Sequence, residues 1–187
     1  MSVDWIVAIA AVVVALFLIV HYNRLVRGRN SVENAFSTID VQLKQRCDLI
    51  PKVVDAVRGY MGHERGVLEQ LTSLRNQASA SGVPAAQRLA LDGQMAGLLH
   101  GLIARVEAYP DLKASETVVM LQRSLNEVES QIAAARRTYN AAVTSYNITV
   151  ETVPTNMVAG MFGFGRRALF EAAEPDRAAP QIANLGR

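Results

Sequence analysis

Residues 22–61, YNRLVRGRNSVENAFSTIDVQLKQRCDLIPKVVDAVRGYM, decide the fold. Apolar side chains recur along them at Val32, Phe36, Ile39, Leu43, Cys47, Ile50, Val54, Val57 and Met61. Steps of three and four place all of these on one stripe of a helix. Arg24, Arg29, Glu33, Asp40, Lys44, Arg46, Asp48, Lys52 and Arg58 fall between them, on what reads as the solvated side. Such a helix cannot stand alone in water, so the rest of the chain must cover its stripe.

Ahead of it, Trp5 to Val20 read WIVAIAAVVVALFLIV, with no charge, Gly or Pro. The run is slightly short for a spanning helix, but Trp5 and Tyr22 frame it, and amphipathic aromatics suit the two headgroup regions. Counted with them, a helix rising about 1.5 Å per residue reaches roughly 27 Å, enough for a thin bilayer. Leu16 and Phe17 belong to this anchor. A cleaved signal peptide is the rival reading; it calls for a basic start and small residues at a cleavage site, whereas Asp4 stands in front and HYNRLVRGRN follows. No Lys or Arg precedes the run, and Arg24, Arg27 and Arg29 follow it. The positive-inside rule then expects the N-terminus outside and the body in the cytoplasm, in a single pass. The same arginines could hold anionic headgroups or simply report topology.

Further helices are expected behind the first. Pro51 removes a backbone donor, yet the apolar phase is unbroken across it, which predicts a kinked continuous helix. The expected break is at Gly59–His63, where two glycines weaken a helix. A second helix is predicted from Glu64 to Ala78 (Leu68, Leu71, Leu74 inward). Gly82 and Pro84 mark a turn, and a third runs from Pro84 to about Ala108 on Leu91, Met95, Leu98, Leu102 and Val106. Pro110 stops it. From Ser115, a plausible N-cap, Val118, Leu121, Leu125, Val128, Ile132, Ala135, Tyr139, Ala142 and Tyr146 give coiled-coil-like patterning. Its end, YNAAVTSYN, mirrors the YNRLVRGRN that opens the first helix, so the two ends are expected side by side near the membrane. The fold class is thus all-α: an N-terminal transmembrane helix, then an antiparallel up-and-down bundle of about four helices, long first and last. The expected division is an anchor at 1–22, a cytoplasmic bundle at 23–153 and a tail at 154–187.

After Pro154 the chain reads NMVAGMFGFGRRALF. Met161, Phe162 and Phe164 with Arg166 and Arg167 suit a membrane-surface or partner-binding segment, with the cations at headgroups. A tail folded over the end of the bundle would use the same residues.

Tyr22-Asn23-x-Leu25-Val26-x-x-Arg29-Asn30, Ile39-Asp40-Val41-Gln42-Leu43-Lys44, Asp48-Leu49-Ile50-Pro51, Gly59-Tyr60, His63-Glu64 and Tyr139-Asn140-x-x-Val143-x-x-Tyr146-Asn147 stand in this order. With Pro154, Gly163-Phe164 and Phe170-Glu171 behind them, they resemble the LemA family over nearly the whole chain. The resemblance implies a single-pass bacterial membrane protein with a helical-bundle body, not an enzyme. A magnetosome membrane protein among the family's relatives implies a membrane-organising role. Phe36 stands where the pattern expects Trp, and Pro180–Asn184 lack the expected aromatic.

Composition narrows the function classes. Of 187 residues half are hydrophobic and only 6% aromatic, and the net charge is +2, too small to indicate nucleic acid. One cysteine, Cys47, excludes an intrachain disulfide and reads as a core residue. His63-Glu64 opens like a zinc-protease helix, but Val67 stands where the second His belongs, and His21 and His100 are far off. No catalytic, cofactor or metal site is expected. What remains is a self-associating membrane scaffold, with an adaptor for another membrane protein, such as a membrane protease, as the alternative.

Overall fold

The apolar run and the stripe behind it form one helix in the computed structural model, which describes residues 3–61 and 64–170. The described residues form six helices in order: α1 Val3–Val57, α2 Arg65–Ala78, α3 Ala85–Val106, α4 Pro110–Lys113, α5 Glu116–Glu151 and α6 Thr155–Phe162. His63 and the tail positions from Glu171 to Asn184, named above for their sequence pattern, lie outside the described residues. Pro51 sits inside α1 without ending it. The lost hydrogen bond and ring clash cost about 3 kcal/mol, and burial of Ile50, Val53, Val54 and Val57 around it outweighs that. The break comes beside Gly59 (Gly62 lies outside the described residues): α1 closes at Val57, whose carbonyl accepts from the backbone of Tyr60 and Met61.

By its contacts the chain divides into a terminal unit, Met1–Ala35 with Arg136–Arg187, and a central unit, Phe36–Ala135. The second part of α1 and the first part of α5 belong to the central unit, with α2, α3 and α4. Its core joins Cys47, Ile50, Val54 and Val57 of α1 to Leu68, Leu71 and Leu74 of α2, Leu91, Met95 and Leu102 of α3, and Val118 and Leu125 of α5. Residue pairing fixes the directions. Asp40 meets Arg88 and Arg46 meets Asp92, while Val53 and Val57 line one small cavity with Leu102 and Val106, so α1 and α3 run parallel. Val118 and Leu125 of α5 line that cavity too, and Glu129 lies back at Arg46, so α5 runs the other way. Glu64, just ahead of α2, accepts from the Tyr109 hydroxyl beyond the end of α3, which makes that pair antiparallel. This is an up-and-down four-helix arrangement. Gly82, at φ 80°, makes the reversal between α2 and α3 in a conformation that side-chain-bearing residues avoid. Pro110 does not merely stop α3; it opens α4, whose Leu112 is fully buried.

The stripe is wider than three–four spacing alone indicates. Ala35 is buried while Phe36 is only half so, and Leu99 rather than Leu98 enters the core of α3. The larger correction is Arg46, expected on the solvated side. It is 2% exposed and occupies the inner position one heptad before Val53. Its guanidinium donates to Asp92, 1% exposed, at 2.8 Å, and to Glu129. A charge in that position is tolerated because both partners are carboxylates brought from other helices. Cys47, next in sequence, is buried, and its thiol is pushed above the ordinary range by burial first, then by the negative charges of Asp92 and Asp48.

Arg46→Ala leaves Asp92 buried without its cation and is expected to lower unfolding free energy by roughly 3–5 kcal/mol in chemical denaturation. The paired change Arg46→Met with Asp92→Leu is expected to recover most of that loss; equal loss in both would deny the pairing. Because the folded thiol of Cys47 ionises above its unfolded value, the unfolded chain sheds that proton first as pH rises. Stability is therefore expected to fall as pH climbs through and beyond 9.0, the ordinary thiol value, in wild type but less so in Cys47→Ala.

Candidate functional site

The terminal unit holds every side chain singled out for membrane contact. Its first element, α1 from Val3 to Val20, has no partner among the described residues along most of its length: Trp5, Leu16 and Phe17 are exposed, and the most apolar 18-residue window of α1 is 0% buried. The helix is long and apolar enough to cross a membrane. Contacts begin at its end. Phe17 and His21 rings lie 4.4 Å apart, and His21 Nδ1 is 2.9 Å from the hydroxyl of Thr155 at the start of α6. Leu25, fully buried, closes with Val158 and Ala159 of α6, and Leu18, Val150 and Phe164 pack around them.

The mirrored Tyr-Asn ends meet as expected. Val32 of α1 is buried with Val143 and Tyr146 of α5. Gly28 makes this possible, since a Cβ there would stand 3.0 Å from the Tyr146 ring. A side chain there would require the Tyr146 ring to give by a few tenths of an ångström. Beyond Pro154, which follows a cis peptide bond, the chain forms α6 and then turns at Gly163, φ 72°, where a left-handed conformation ends the helix. Residues 164–170 come back along α5 without regular secondary structure of their own.

Two asparagines hold this returning segment. Asn147 donates to the carbonyl of Arg167 at 2.9 Å and accepts from its N–H at 2.9 Å. Asn140, seven residues earlier on the same helix face, does the same for Phe170 at 3.0 and 2.8 Å. Each side-chain amide thus satisfies both main-chain groups of one residue, as a neighbouring strand would. Tyr139 adds an edge contact to Phe170 at 4.9 Å and a hydrogen bond to the Ala168 carbonyl. Spacing placed Tyr139 and Tyr146 on a stripe but gave the asparagines no role. A signal was present: an Asn is a poor choice inside a long helix, and here it recurs at one heptad, each time behind a Tyr.

The predicted residues divide accordingly. Tyr22 is flanked by the rings of Phe162 at 5.0 Å and Phe164 at 5.7 Å. Phe164 is half-buried beneath the Arg29 guanidinium, 5.6 Å away, and Arg29 also lies 3.9 Å from Glu33. Met161 and Phe162 stay exposed. Arg166 pairs with Glu151 at 2.9 Å, while Arg24, Arg27 and the Arg167 side chain face solvent. Arg29, Arg166 and Arg167 border one cleft with Tyr146 and Phe164. Among the described residues no three of His, Cys, Asp and Glu stand together as metal ligands would.

Replacing both Asn140 and Asn147 with Ala removes four hydrogen bonds, each contributing about 1 kcal/mol net. Amide exchange at Arg167 and Phe170 is expected to accelerate strongly, with the amides of α2 and α3 unchanged. Unaltered exchange at those two amides would show that the asparagines do not secure the segment.

Comparison with known proteins places this architecture. The LemA family matches residues 35–183. Protein LemA of Metamycoplasma hominis is 32% identical over 155 residues, covering 83% of this chain and 71% of that protein. Magnetosome protein MamQ 2 of Paramagnetospirillum magneticum is 25% identical over 179 residues, covering 82% of this chain and 66% of its own length, just under two thirds. Magnetosome protein MamQ of Magnetospirillum gryphiswaldense is 23% identical over 193 residues, 88% of this chain and 71% of its own. With most of its length matched, from Ala35 through the bundle and the asparagine-held segment, this chain belongs to the LemA family.

Proposed function

We propose that the chain is a non-enzymatic, membrane-anchored helical scaffold that self-associates and organises the bacterial cytoplasmic membrane. Its N-terminus lies outside, a single helix crosses, and the body stands in the cytoplasm. One observation carries the reading: the unburied apolar run is continuous with a helix whose later turns are packed. In water each exposed Val, Leu, Ile or Phe forgoes about 1.5–3 kcal/mol of burial, and no other described segment covers this run. A bilayer removes that penalty. Arginines at one end only support the orientation. Small residues in the run (Ala8, Ala10, Ala11, Ala15) permit close approach of helices within the membrane. Kinship with proteins named for the magnetosome supports a part in membrane organisation.

Light scattering on the detergent-solubilised full chain, repeated without residues 1–21, tests self-association. A large uniform assembly is expected for the full chain. A monomer in both forms would sink the scaffold and turn attention to an adaptor that copurifies with one membrane partner, such as a protease.

A further inference from the structure

We propose that α6 is a second, separate membrane contact: a two-turn helix lying in the lipid interface beside the point where α1 leaves the bilayer. It rests on the reading that residues 3–20 cross the membrane, and its test separates the two. The face α6 turns inward is settled by burial. Thr155, Val158 and Ala159, at i, i+3 and i+4, are each about 2% exposed or less. The opposite face carries Met157 and Met161, four apart and 68% and 69% exposed, while Phe162, 52% exposed, lies on the side of Thr155 and Val158, against the ring of Tyr22. Val153, just ahead of the helix, is 72% exposed. Such a patch on an eight-residue helix has no role in the core of the terminal unit, since its side chains point away from it.

The height of α6 along α1 identifies what covers the patch. Its three attachments fall between Leu18 and Leu25: the Val158–Ala159 cluster, the His21–Thr155 hydrogen bond and the Tyr22–Phe162 ring pair. That interval is the last turn of the apolar run and the first turns after it, roughly 10 Å of helix axis. Tyr22 is the residue type that settles at headgroup level. The cations begin in the same interval and continue past it: Arg24 and Arg27 are exposed, and Arg166 and Arg167 share a cleft with Arg29. From the anchor outward the chain thus offers an apolar run, then the methionine face with Arg24 at its level, then further guanidinium groups. Amphipathic helices seated about 5–10 Å into the headgroup boundary show this order, with cations reaching the phosphates. Phe164 stays out of the lipid: its ring is engaged by Tyr22 and Arg29, and it fixes the segment that carries Arg166 and Arg167.

The test uses the full chain with Cys47→Ser, carrying one environment-sensitive fluorophore and reconstituted into vesicles of phosphatidylcholine and phosphatidylglycerol. Labels are placed in turn at Met157→Cys, Met161→Cys, Ile9→Cys and Glu127→Cys. Labels at 157 and 161 are expected to shift to the blue and to lose most emission to lipids brominated near the headgroup end of the acyl chain, with less loss to bromine near its methyl end. The label at 127 should behave as in water. Water-like emission at both 157 and 161 overturns the proposal, as does quenching there that depends only on a second labelled copy. The label at 9 reports on the anchor alone: absence of deep quenching there defeats the spanning helix while leaving the readings at 157 and 161 to decide α6. Using two α6 positions guards against one label disturbing the helix.

Discussion

One helix changes its surroundings partway along its length. From Val3 to Val20 α1 offers apolar side chains on every side and has almost no described protein against it, whereas from Val32 onward one stripe is packed and the rest is mostly polar. A helix is the only regular structure that tolerates the change without altering course, because its own hydrogen bonds satisfy the main chain in either medium. Side chains alone register the transition. The other long described elements answer to it: α2, α3 and α5 cover the stripe in the central unit, and α5, α6 and the returning segment cover it in the terminal one.

Much of this was legible because periodicity is a local property. The four bundle helices, the break beyond Val57 and the reversal at Gly82 follow from spacing and from glycine and proline placement, whereas the short α4 and α6 do not. The inner faces were readable to within one position. Leu99 displaced Leu98, and Ala35 displaced Phe36, because spacing of three or four leaves two adjacent candidates and only the neighbouring helix chooses between them. The resemblance to the LemA family supplied the organisation that periodicity could not.

Polar groups inside were harder to foresee. Arg46 reads as surface charge by type and as core by position, and type prevailed until its partners were visible: Asp92 and Glu129 lie 46 and 83 residues away, beyond any local pattern. Such a pair contributes little net stability relative to apolar residues of similar volume. It does penalise any register of α1, α3 and α5 that separates the charges. Apolar packing also favours this register, and the buried pair adds a penalty that is specific to separating these charges.

The asparagine-held segment has a consequence for how this chain can change over generations. Asn140 and Asn147 engage only N–H and C=O groups, which every residue but proline carries, so the grip does not depend on which side chains occupy 167 and 170. Substitution at Gly165, Arg166, Ala168 or Leu169 leaves those four bonds intact. Side chains at Gly165, Ala168 and Leu169 can therefore vary without loosening the strip, provided that proline stays away from 167 and 170 and the two asparagines stay in place.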